Sequence, residues 1–166
     1  MQILRMLLLP LVASVAFAQT PAAPLPINHE FDFWIGSWEV TANGKLAGHN
    51  RIESILGGRV LQENYTTPGA YAGHSFNIYN AAEARWEQYW VDVGGLALHL
   101  TGGLNETGQM VLSGATKQTD GSVVLERITW TPNDDGTVRQ HWEQSRDDGE
   151  TWATAFDGLY TPMASP

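Results

Sequence analysis

Nine turn signals cut residues 36–160 into ten runs of similar length: Asn43-Gly44, Gly57-Gly58, Pro68-Gly69, Asn80 to Ala84, Gly94-Gly95, Asn105 to Gly108, Asp120-Gly121, Asp134-Asp135-Gly136 and Asp147-Asp148-Gly149. Each supplies residues that accept positive φ or form Asx turns, which tight hairpins require. The runs between them are rich in Val, Ile, Thr, Tyr, Phe and Trp. Short strands of even length joined by tight turns predict an antiparallel meander. A meander this long closes into an up-and-down barrel, which leaves no strand edge free. The expected fold is therefore all-β, a ten-stranded antiparallel up-and-down β-barrel. Its strands are expected at approximately 37–43, 46–55, 59–67, 70–79, 85–93, 96–103, 109–117, 122–131, 137–146 and 151–160.

Before the meander, Asn28 can cap a short helix with Glu30 and Asp32 in its first turn. Phe31, Trp34 and Ile35 share one face of it, and Gly36 can end it. This segment is expected to give one or two helical turns that plug one barrel mouth. Further upstream, Arg5, an apolar stretch from Met6 to Val15 and Ala16-Phe17-Ala18 fit a secretory signal peptide cleaved after residue 18. The apolar stretch is short for a bilayer span, so no membrane span is expected. The domain plan is then a signal peptide over 1–18, an extended Pro-rich tether over 19–28, one barrel domain over 29–160 and a frayed tail over 161–166. The expected location is periplasmic or secreted.

Composition narrows the partners. The chain has no Cys, so disulfides and thiolate metal sites are excluded, and stability must come from the core. After cleavage, a chain of about 150 residues can bury about 70% of its unfolded surface. The formal net charge is −9 and no basic cluster exists, which argues against nucleic acid and anionic membranes.

Strand alternation places unusual faces inside the meander. Gln88 and Trp90 share one face of the fifth strand, and Gln140 and Trp142 share one face of the ninth. Asn50, Glu63, Ser75, Asn77 and Arg127 are their expected companions. Large aromatics mixed with amides suit a wetted cavity more than a solid core of Leu, Ile and Val. These nine residues form the candidate ligand-binding set. Register decides the matter, because a slip of one residue moves every side chain across the sheet.

Gly36-Ser37-Trp38 matches the G-x-W element of the lipocalin-like (calycin) barrels. Those families pair the Trp with an Arg on the last strand. Here the last strand has none, and Arg139 on the preceding strand is the nearest. More broadly, the opening Phe31 to Trp38 (FDFWIGSW) resembles that of an uncharacterised bacterial family of secreted, lipocalin-like proteins. So do Gly48 to Glu53, Trp90-Val91-Asp92, Arg127 to Pro132 and Phe156 to Tyr160. The resemblance spans about residues 29–160 and implies a barrel. It implies no catalytic residues.

Ser145 to Trp152 matches the Asp-box pattern S-x-D-x-G-x-T-W once, which reads as a hairpin staple. A sialidase would need several such boxes in a much longer chain. His29, His49, His74, His99 and His141 show no i, i+2 or H-E-x-x-H spacing, so no metal site is expected. Glu63, Asp92, Glu143 and Asp157 are candidate acid–base groups if any two converge. No phosphate loop or nucleophile elbow is present, and no cofactor is expected.

The reading is thus a secreted or periplasmic protein that holds a small, partly apolar molecule inside a barrel. The alternatives are a small barrel enzyme (isomerase, cyclase or hydrolase) or a haem-binding barrel. A buried carboxylate paired with His or Arg inside the cavity would favour catalysis. The sequence leaves the ligand and the oligomeric state open.

Overall fold

The computed structural model describes residues 25–164. The tract read as a signal peptide, residues 19–24 of the tether and residues 165–166 lie outside the described residues. The chain forms ten strands: β1 (Gly36–Ala42), β2 (Lys45–Ile55), β3 (Val60–Thr66), β4 (Ala72–Asn80), β5 (Arg85–Asp92), β6 (Ala97–Leu104), β7 (Met110–Lys117), β8 (Val123–Pro132), β9 (Val138–Ser145) and β10 (Ala153–Pro162). Each strand pairs antiparallel with its sequence neighbour, and β1 also pairs with β10, so the sheet closes on itself. Every strand end falls within two residues of its expected position.

The turns work as their residues dictate. Asn43 and Gly44 take φ of 50° and 71°, the paired positive values of a hairpin turn whose twist matches its strands. At Asp92, Asn105, Asp120 and Asp135 the side-chain oxygen accepts backbone N–H groups within its own turn, so the loops carry their own hydrogen bonds.

The segment before β1 differs from expectation. In place of a helix of one or two turns it makes a single 3-10 turn, Asp32–Trp34, without a side-chain N-cap bond. Asn28 Oδ1 accepts only the Glu30 N–H, an Asx turn that does not propagate. The turn nevertheless buries Phe31 and Trp34 completely. Their rings stack at 5.1 Å and meet Trp130 at 5.2 and 5.4 Å. Trp86 and Tyr160 close the cluster edge-on, and Trp38 Nε1 donates to the Trp34 carbonyl. Each fully buried ring contributes about 2–3 kcal/mol of burial. This end of the barrel, where β1 begins and β10 ends, is packed with aromatic side chains. This is the lower end.

Candidate functional site

The upper half of the barrel is not filled. A cavity of about 290 Å³ lies there, between the packed aromatic cluster and the hairpins joining β3 to β4, β5 to β6 and β9 to β10. Its walls are aromatic and aliphatic, with Tyr65, Tyr71, Trp90, Trp142 and Phe156 as the largest pieces. Glu63, Gln88, Gln140 and Tyr160 supply the polar groups.

Three rings in this wall lie against glycines. A Cβ added at Gly73 would meet the Trp90 ring at 2.2 Å, one at Gly158 the Phe156 ring at 2.5 Å, and one at Gly48 the Tyr65 ring at 2.9 Å. Each glycine thus leaves the depth of one side chain in which a ring can lie down. β10 adds a second device. Thr154 pairs with Glu143 and Phe156 with Trp142, so Ala155 is an extra residue. The bulge turns both Ala155 and Phe156 toward the cavity.

Below the rings a chain of hydrogen bonds joins side chains from six strands. Gln88 Nε2 donates to Asn77 Oδ1 (2.9 Å), and Asn77 Nδ2 donates to Ser75 Oγ (2.9 Å). Ser75 Oγ donates to Glu63 Oε2 (2.6 Å), and Asn50 Nδ2 donates to Glu63 Oε1 (2.7 Å). Asn50 also reaches the Tyr160 hydroxyl, which donates to Gln140 Oε1. Glu63 is 3% exposed. Burial pushes its carboxyl up from 4.5 to about 7, with the bonds from Ser75 and Asn50 pulling the other way. Burial also raises the hydroxyls of Tyr65, Tyr71 and Tyr160.

Eight of the nine candidate residues are inward. Asn50, Glu63, Ser75, Asn77 and Gln88 form the network with Gln140, and Trp90 and Trp142 stand above it. Arg127 is a correction. β8 turns Val124, Glu126, Ile128 and Trp130 inward and Arg127 outward. There the guanidinium lies 4.0 Å from the Trp152 ring centroid and 3.0 Å from Glu143 Oε2. The physical reason is that Ile128 and Trp130 have more apolar area to bury than Arg127, and they fix the parity of the whole strand. Their companion Glu126 is 1% exposed and accepts from Thr116 Oγ1 (2.8 Å), Trp142 Nε1 (2.7 Å) and Gln144 Nε2 (3.2 Å). The sequence reading missed Glu126, although two large apolar residues share its face. It also missed Tyr65, Phe156 and Tyr160, which share parity with Glu63 and Gly158 and were legible by alternation.

The other candidates resolve into structure. Asp92 caps its turn and accepts from the Tyr71 hydroxyl (2.8 Å) at the cavity rim. Glu143 pairs with Arg127, and Asp157 holds Arg139 through two bonds of 2.7 Å, both on the outer face. Arg139 therefore does not cover Trp38. The Asp-box is a staple: Asp147 accepts from Ser145 Oγ, Thr151 N and Thr151 Oγ1, and Trp152 Nε1 donates to the Gly149 carbonyl. Those bonds hold the Asp147 carboxyl down at about 2. Among the described residues no His lines the cavity, so none of them is placed there as an axial haem ligand. No cluster of metal-ligating residues occurs among the described residues.

The architecture and the cavity define a closed ten-stranded up-and-down barrel with an internal compartment. No protein-family model matches the chain, and no curated protein matches it.

Proposed function

We propose that this protein is an exported binding protein, related to the secreted lipocalin-like barrels, that holds a small, partly apolar molecule in the upper half of its barrel. The observation that carries this reading is the unfilled cavity above a fully buried aromatic cluster. A chain that packs one half of its interior this tightly has the side chains to fill the other half. Here three glycines and a bulge keep space open instead. Aromatic walls with a few convergent polar groups are the usual make-up of a small-molecule site. In this reading Phe31 and Trp34 close the lower mouth, and the ligand enters past Tyr71 and Ala155, which are both exposed.

Binding is preferred to catalysis on the residues at hand. Among the described residues Glu63 has no His or Arg beside it, and no basic residue lines the cavity. The test is a small-molecule screen read by quenching of tryptophan fluorescence. Ligands should quench the wild-type protein and quench Trp90→Phe markedly less, while Arg127→Met behaves as wild type. Hits indifferent to Trp90→Phe would place the site elsewhere. Native mass spectrometry of protein from its own host, with sequencing of the mature amino terminus, tests the co-purifying ligand and the export together.

A further inference from the structure

The charge inside the barrel is all of one sign. Glu63 and Glu126 are buried on inward positions of β3 and β8. Every Lys, Arg and His among the described residues lies on the outer face, in a turn or in the segment before β1. Groups from four strands face Glu63. Asn50 comes from β2, Ser75 from β4, Tyr65 from its own strand and Tyr160 from β10, with Tyr71 above. The titratable ones are all tyrosines, which cannot neutralise a carboxylate. Glu126 is held by three donors. Glu63 has two, and it alone of the two carboxylates lines the cavity.

We propose that the missing counter-charge is supplied by the ligand: the barrel takes a monocationic amine with a flat apolar body, its ammonium seated on Glu63 and its body held between Trp90 and Trp142. This rests on the small-molecule reading above and deepens it. Three features support it. An ammonium desolvated beside a buried carboxylate makes a strong charge-assisted contact. The rings of Tyr65, Tyr71 and Tyr160 line the same cavity, and aromatic rings attract cations. The Gln88 and Gln140 side chains each spend one amide group inside the network, which leaves Gln88 Oε1 free to accept a further ammonium hydrogen. A carboxylate ligand meets the opposite situation, with a like charge and no cation to receive it.

Amine binding at Glu63 is linked to proton release. With its carboxyl near 7, Glu63 is largely protonated below that pH and must release its proton to solvent when an ammonium binds. An alkylamine stays protonated throughout this range. Amine binding therefore strengthens as pH rises through 7 and then levels off.

The experiment is isothermal titration of the full mature chain with three isosteric probes: 1-naphthylmethylamine, 1-naphthalenemethanol and 1-naphthoate. The amine should bind at least about tenfold more tightly at pH 8 than at pH 5.5, with the alcohol nearly unchanged and the carboxylate weakest. In Glu63→Gln the amine should lose its advantage over the alcohol while the alcohol still binds. The wild-type pH series stands without the variant, should that variant fold poorly. If the alcohol binds as tightly as the amine at pH 8, the amine inference falls and the small-molecule barrel stands. If Glu63→Gln keeps the amine preference, the assignment to Glu63 falls. If no probe binds at either pH, both readings fall.

Discussion

Glu63 costs this protein stability at neutral pH, and the cost has a sign that can be measured. Its carboxyl is held at about 7 in the folded chain against 4.5 ordinarily. The folded state thus binds the proton more tightly than the unfolded state. The stability this group supplies is fully present below pH 4.5 and is lost as pH rises to about 7. The shift sets an upper bound of about 3 kcal/mol on the loss. Glu87 and Asp147 work in the opposite window. Tyr89, Asn80 and other donors hold Glu87 down at about 2, as Thr151 and Ser145 hold Asp147. Their contributions are present above the ordinary carboxylate range and vanish as pH falls toward 2. Urea denaturation between pH 5 and 8 should show wild-type stability falling relative to Glu63→Gln as pH rises, with the variant equal or better at pH 8. Parallel curves would mean that Glu63 does not titrate in this window.

At the scale of the element, the strands that make the cavity are matched pairs of a ring and a glycine. Gly73 on β4 faces Asp92 on β5, and the Trp90 ring folds across it. Gly73→Ala has no room for its methyl group unless Trp90 rises into the cavity. The variant should stay folded with a changed tryptophan emission, and it should lose ligand affinity by more than Trp90→Phe does. Unaltered emission and affinity would show that the ring does not rest on Gly73. The strands themselves were legible because Asn, Asp and Gly in the turns announce positive φ one hairpin at a time. Parity was legible on β5 and β9, where Trp and Gln share a face against Tyr, Arg and His. It failed on β8, where the choice lay between two charged residues. Glu126 is buried only because Thr116, Trp142 and Gln144 arrive from β7 and β9, and partners on other strands leave no local pattern. The ring-on-glycine pairs were hidden for the same reason: Gly73 and Trp90 touch only after β4 and β5 pair. The entry segment showed its apolar face but not its length, because Asn28 closes an Asx turn that does not lead into a helix.

For the whole molecule, one half is built for stability and the other for space. Phe31, Trp34, Trp86 and Trp130 carry the packing below, and the polar network forms the floor between the halves. The seam between β1 and β10, where Trp38 faces Pro162 and Val40 faces Tyr160, joins the first strand to the last. Tyr160 sits in that seam and belongs to both halves, touching Trp34 and Trp38 below and Glu63's partner Asn50 above. Its position makes the seam a clock. Nine strands can pair locally as the chain emerges, but the barrel closes only after residue 162 is available. Closure across the full length of a chain is slow, because the loop entropy is met before any contact repays it. A chain lacking β10 should therefore remain an open, protease-sensitive sheet, and adding residues 153–164 as a separate peptide should restore protection. For a protein exported as proposed, the delay has a use: the chain stays threadable until its last segment has crossed.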